Sequence, residues 1–213
     1  MIVEEIMTVD LVTIKENDSL RKAQDLMVEK SIRHLPVVDK NKLLGIITES
    51  DIRGAFIYSE VPKDGKVVQF DPSKMPVKDY MTRDPLTVSP DTNIEDAALV
   101  IYRNKIGGLP VVKNGKLEGI VTILDMLGLF IDMMSILESS SRIDVLVDKN
   151  QKSIDKITKI ITDHGLEIIS TGIEPYEDDP KKQICCFRMD LCETERVVKD
   201  IEKAGFEVLD AID

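Results

Sequence analysis

The chain has 213 residues, with 28 Lys and Arg against 39 Asp and Glu, a formal charge of −11, and 43% hydrophobic residues. That length suits one large domain or two small ones with a real core, and the acidic balance argues against general affinity for nucleic acid or an anionic membrane. No stretch approaches the roughly 18 unbroken apolar residues of a membrane span, the first seven residues lack a signal peptide's basic start and apolar run, and a cytoplasmic protein is expected.

In chain order, residues 11–14 read as extended. Asn17, Asp18 and Ser19 then offer side chains to cap a helix, with Leu20, Ala23, Leu26 and Met27 at helical spacing. Leu35-Pro-Val-Val38 reads as a short strand, 39–42 as a polar turn and 43–47 as a second strand, after which Thr48-Glu-Ser-Asp51 opens another helix. Residues 59–76, with Pro62, Gly65, Pro72 and Pro76, read as a surface connector holding a short strand at 67–70. The same order then returns. An extended 86–88 precedes caps at Asp91, Thr92 and Asn93, and a helix follows with Ile94, Ala97, Ala98 and Ile101 on its apolar face. Leu109-Pro-Val-Val112, a turn containing Asn114-Gly115, a strand at 117–121 and Thr122-Ile-Leu-Asp125 complete it.

The two passages align without a gap at an offset of 74 residues, with about a third of positions identical over roughly 45 residues. Met7-Thr8 falls on Met81-Thr82, Thr13 on Thr87, Gly45-Ile46 on Gly119-Ile120, Thr48 on Thr122 and Asp51 on Asp125. Each copy reads β-α-β-β-α.

Met-Thr, Leu-Pro-Val-Val and Gly-Ile-Ile/Val-Thr-x-x-Asp, repeated in register, resemble a tandem pair of CBS domains, or Bateman module, over about residues 1–135. The resemblance implies repeats at 1–58 and 77–137, joined by a connector at 59–76 and paired about a pseudo-two-fold axis. It also implies clefts for an adenosine-containing ligand (AMP, ADP, ATP, S-adenosylmethionine or NAD(H)) and a homodimer. Asp51 and Asp125 suit adjacent ribose hydroxyls, because a carboxylate accepts from both. Thr48 and Thr122, at strand-to-helix junctions, suit phosphate. By the resemblance, Thr13 and Thr87 line the adenine. The alternative is that both aspartates only cap their helices. The clefts are expected to differ, since Arg33 and His34 stand where the second repeat has Gly107 and Gly108. Arg33 is a phosphate partner and His34 adds charge when protonated, but strand alternation argues against both facing one cleft. Glu49 sets a negative charge where phosphate would sit, which Arg33 or Arg53 would have to offset.

Residues 126–137 read as a long apolar helix serving core and subunit interface, with a domain boundary at 138–142. A fainter duplication, at an offset of 40, sets Gly165 on Gly205, both suited to a left-handed helix end. The order over 142–213 is βαββαβ, a ferredoxin-like sandwich. It resembles an ACT domain, which implies either an amino-acid ligand, with Asn150 and Gln151 as candidate contacts, or equally a purely dimerising or transmitting role. Asp144 and Asp148 are weak metal candidates. Cys185 and Cys186 read as buried free thiols, and with Cys192 they do not form a disulfide framework.

The fold class is therefore α/β (α+β), with two CBS repeats followed by a ferredoxin-like domain. No catalytic constellation is visible and no cofactor is required, so a non-enzymatic sensor acting on an unidentified partner is expected. The architecture resembles the acetoin-utilisation AcuB-type proteins of bacteria. A ligand-free dimerisation scaffold is the alternative, an enzyme of acetoin metabolism comes next, and a DNA-binding regulator is weakest.

Overall fold

Two tight turns organise the first unit, Met1–Leu127, of a computed structural model that describes residues 1–59 and 71–213. Lys40 and Asn41, and equally Asn114 and Gly115, hold positive φ, the condition for a two-residue turn whose twist matches its strands. The first turn joins β1 (His34–Asp39) to β2 (Lys42–Thr48), and the second joins β4 (Gly108–Lys113) to β5 (Lys116–Thr122). Both hairpins carry an irregularity at the same place, Val37/Val38 and Val111/Val112. Helices α1 (Leu20–Lys30) and α3 (Ile94–Asn104) precede the hairpins, and α2 (Glu49–Ser59) and α4 (Ile123–Met133) follow them. Ser19 caps α1 by accepting from the Lys22 amide, whereas Asn93 makes no side-chain cap on α3. The expected connector strand at 67–70 lies outside the described residues.

The segment that opens each repeat is built into the other repeat. Met81 and Thr82 reach back to the first hairpin, where β3 (Thr82–Arg83) pairs antiparallel to β2 with Thr82 opposite Ile46. Symmetrically, Thr8 bridges Ile120 of the second hairpin. The cores follow the same exchange. Val77 and Met81 belong to the first core with Leu20, Leu35 and Ile47, and Val3 belongs to the second with Ala97, Leu109 and Val121. Gly45 and Gly119 make room for this. A Cβ on Gly45 would lie 2.7 Å from the Thr82 carbonyl oxygen and 2.8 Å from Met81 Sδ, and one on Gly119 would lie 2.6 Å from Met7 Sδ. The strands expected at 11–14 and 86–88 are reduced to single parallel bridges, Ile14 to Val37 and Val88 to Val111.

The second unit, Gly128–Asp213, has the expected βαββαβ order. Strands β6 (Ser141–Asp148), β7 (Ile168–Pro175), β8 (Lys182–Met189) and β9 (Glu207–Ile212) form one antiparallel sheet in the order β7-β8-β6-β9. Helices α5 (Gln151–Asp163) and α6 (Glu195–Lys203) bury Ile157, Ile161, Val197 and Ile201 in one core with Ile143, Val145, Cys185 and Phe187. Gly165 (φ 76°) and Gly205 (φ 93°) end the helices in the left-handed conformation expected of them. Strand alternation separates the adjacent thiols, so Cys185 is buried in the core and Cys186 only half-buried. Burial and the neighbouring Asp144 carboxylate push the Cys186 thiol up to about 11, which keeps it protonated and unreactive near neutrality.

The apolar run expected as one helix over 126–137 leaves helical geometry by Ser135, at φ 50°. No residue of α4 is buried, and Leu124, Phe130, Met133 and Leu137 are all more than half exposed. The core role expected for this stretch is thus limited to partial packing by Met126 and by Met134 against Gly172. Among the described residues no helix is long and apolar enough to cross a membrane.

Candidate functional site

Each hairpin delivers its last strand into a helix through a reciprocal cap. The Thr48 backbone N–H and hydroxyl both donate to Asp51 Oδ2, at 2.8 and 2.7 Å, and the Asp51 amide donates to Thr48 Oγ1 at 3.3 Å. The second repeat reproduces it, with Thr122 donating twice to Asp125 Oδ2 at 2.7 Å and the Asp125 amide returning to Thr122 Oγ1 at 3.4 Å. This is the capping box that a Thr-x-x-acid pattern favours at a helix start. Capping uses one oxygen of each carboxylate. The other, Oδ1, has no hydrogen-bond or ion-pair partner among the described residues, so the cap leaves an acceptor available.

Both caps lie on the walls of cavities inside the first unit. The cavity of Thr48 and Asp51, about 660 Å³, is closed across from them by Asp84, Pro85 and Leu86 and by residues 104–108, which run from the last residue of α3 to the first of β4. The cavity of Thr122 and Asp125, about 470 Å³, is closed by Asp10, Leu11 and Val12 and by Ser31 to His34. Each cleft therefore takes its cap from one repeat and its opposite wall from the other, the arrangement that the exchanged segments produce.

Of the residues expected at the site, Arg33, His34, Thr48, Asp51, Gly107 and Gly108 line the first cleft, and Arg33, His34, Gly107, Thr122 and Asp125 line the second. Thr13 and Thr87 line neither. Both are exposed, because the chain at these points has turned away to bring Ile14 and Val88 into their bridges, and the cleft is met by the three residues before each. Asp10 and Asp84 stand there, identical at the offset of 74; that identity was the signal for them, as it was for Thr8 and Thr82. Lys105 carried no such signal, since its counterpart is Ser31.

Arg33 and His34 both face the two clefts, against the alternation argument, because Arg33 precedes β1 and is not bound by strand geometry. His34 closes the seam between them, and a Cβ on Gly107 would lie 2.5 Å from its Nε2. Burial pushes the imidazole below its ordinary value, Asp51 pulls it back in part, and Arg33 adds to the depression. The neutral form is favoured, so the charge expected from His34 is suppressed. Arg33 Nε stands 3.9 Å from Glu49 Oε2, and so offsets the charge at the mouth of the first cleft.

Three of the four candidates in the second unit, Asn150, Gln151 and Asp144, are engaged elsewhere, and among the described residues Asp148 joins no group of ligands that could hold a metal ion. Asn150 Oδ1 accepts from the Ser153 amide and hydroxyl at 3.0 and 3.1 Å, capping α5, and Gln151 donates to Asp155 at 2.9 Å. Asp144 is held by Arg142 through two hydrogen bonds of 2.8 and 2.6 Å.

With this geometry in view, the sequence pattern of the CBS domain matches residues 3–58 and 77–132. Among solved structures, the CBS domain pair of protein MJ0100, in complex with 5′-methylthioadenosine and S-adenosyl-L-methionine, is 30% identical with a TM-score of 0.52, covering 61% of this chain and 95% of that one. A structure named for acetoin utilization (AcuB) from Vibrio cholerae is 31% identical with a TM-score of 0.54, covering 64% and 95%. CBSX2 in complex with AMP is 31% identical with a TM-score of 0.51, covering 62% and 96%. Among curated relatives, an inosine-5′-monophosphate dehydrogenase from Korarchaeum cryptofilum is 31% identical over 195 residues, 79% of this chain. This chain spans between 32% and 42% of the length of the first curated relatives it matches.

Proposed function

The chain belongs to the CBS domain family, with two copies in tandem, and from that premise we propose that it is a regulatory protein binding an adenosine-containing ligand between its repeats, without catalysing a reaction. The observation that carries this reading is the pair of repeat-related caps, each on the wall of a cavity and each with an unused carboxylate oxygen. Such an oxygen accepts from a ribose hydroxyl, and the helix start beside it adds backbone N–H groups. The adenosine ligands of MJ0100 and CBSX2 support the ligand class. A ligand that binds one arrangement of the repeats better than another shifts the protein toward it.

Around this core we read the second unit as an ACT-like domain, on its strand order β7-β8-β6-β9, acting to relay or to dimerise. An amino-acid ligand there has weaker support, because Asn150 and Gln151 are both engaged. Acetoin utilisation as the setting rests on the likeness to the Vibrio cholerae protein, and a cytoplasmic location on composition. A second reading, a homodimeric scaffold with unoccupied clefts, is favoured by the exposed apolar side chains of α4, which exceed the scattered single exposures usual on a monomer.

Thermal unfolding with AMP, ATP, S-adenosylmethionine, 5′-methylthioadenosine and NADH separates the two. A ligand at about 100 times its dissociation constant adds roughly 2.7 kcal/mol, about 5–10 °C for a chain of this size. Asp51→Asn and Asp125→Asn are the informative variants, since an amide oxygen keeps the cap while the second acceptor is lost. A shift abolished in either variant supports the sensor. No shift with any ligand overturns it in favour of the scaffold.

A further inference from the structure

Resting on the adenosine reading above, we propose that the two clefts sort their ligands by charge. The Asp51 cleft takes a phosphate-bearing nucleotide, and the Asp125 cleft takes an adenosine derivative without phosphate, uncharged or cationic.

The offset of 74 lets the clefts be compared position by position. Arg53 and Lys105 line the first cleft; their counterparts are Leu127 and Ser31. Glu49 and Ser50, in the first turn of α2, have Ile123 and Leu124 as counterparts in the first turn of α4. The first cleft thus mixes charges. Arg33 and Glu49 lie 3.9 Å apart at the mouth and cancel in the charge count of the cleft, where Arg53 and Lys105 stand beside Asp51 and Asp84. With Asp51 turned to the ribose, Arg53 and Lys105 stand against Asp84, which leaves one positive charge in excess for a phosphate.

The second cleft has no such reserve. Asp10 and Asp125 are its carboxylates, and Arg33, the one Arg or Lys among its described lining residues, is shared with the first cleft and lies 3.9 Å from Glu49 there. With Asp125 turned to the ribose in the same way, a phosphate would meet Asp10, and among the described lining residues only Arg33, drawn toward Glu49, stands to offset it, a repulsion that a half-enclosed site screens less than bulk water does. Leu11, Val12, Ile123 and Leu124 instead present an apolar wall to the 5′ substituent. A thioether suits that wall, and a sulfonium is further favoured by Asp10.

Isothermal titration of the full chain with AMP and with 5′-methylthioadenosine tests the assignment. AMP binding is expected to be lost in Asp51→Asn and kept in Asp125→Asn, with the reverse for 5′-methylthioadenosine. The double variant Arg53→Leu, Lys105→Ser, which removes from the first cleft the two cations that the second lacks, is expected to weaken AMP at least tenfold. It should leave 5′-methylthioadenosine within twofold, which also shows that the variant is folded. AMP binding lost in Asp125→Asn, or both ligands binding both clefts with similar affinity, overturns the sorting alone. No heat with either ligand overturns the adenosine reading and the sorting with it.

Discussion

Gly45 and Gly119 show how a single residue type reports on an assembly. Each stands where the opening segment of the other repeat passes within 3 Å of a would-be Cβ, and for Gly45 the nearest atom is a backbone oxygen that cannot swing aside. Gly45→Ala is therefore expected to lower stability by about 1–3 kcal/mol, measured by urea unfolding. His34 makes a prediction of opposite visibility, since nothing in its sequence context announced burial. Its folded-state value is depressed, so the folded chain holds fewer protons there than the unfolded chain. The contribution to stability is full above the ordinary imidazole range near 6.5, declines as pH falls through it and levels off below the folded-state value. Unfolding midpoints between pH 8 and 5 should show this slope, reduced in His34→Gln. The carboxylates held below their usual range, such as Asp18 and Asp200, titrate in a separate and more acidic window. The placements of Thr13 and Thr87 were less legible than those of Thr48 and Asp51. A cap is a local pattern, whereas the point at which a loop meets a cleft depends on the partner strand.

At the scale of elements, the hairpins differ in their turns and not in their registers. Lys40 and Asn41 adopt the left-handed geometry that Asn114 and Gly115 adopt at lower cost. Transplanting the second turn into the first, as Lys40→Asn with Asn41→Gly, is expected to raise stability by about 0.5–1 kcal/mol in the same urea assay. The helices of the second unit were legible down to their terminal glycines, because amphipathic spacing and a left-handed end are both local signals. Helix α4 was not. Its sequence reads as serving both core and subunit interface, but no residue of it is buried and Phe130 and Met133 are exposed, because apolar composition alone does not apportion a helix between a core and a partner. Phe130→Glu is expected to leave the thermal midpoint within a few degrees while lowering the mass measured by light scattering, if α4 is the contact between copies. An unchanged mass would remove α4 from that role.

At the scale of the molecule, the exchange of opening segments makes the two repeats interdependent. Val3 is fully buried in the core of the second repeat, so Val3→Asp is expected to loosen that repeat before its own. Hydrogen exchange should rise first in α3, β4 and β5 and later in α1, β1 and β2. A variant that loosens α1 first would show the segments to be independent of the exchange.

The duplication, the α-β-β-α order within each copy, the Thr-x-x-Asp helix starts at Thr48 and Thr122, and the βαββαβ pattern of the last third were all legible in the sequence. All of these are read from contacts a few residues apart or from comparing the chain with itself. It took the tertiary structure to show that each repeat borrows its first segment from the other, that Asp10 and Asp84 wall the clefts, that Arg33 and His34 line both, and that no residue of α4 is fully buried. Those facts are set by which distant surfaces meet, and neither periodicity nor capping encodes that choice.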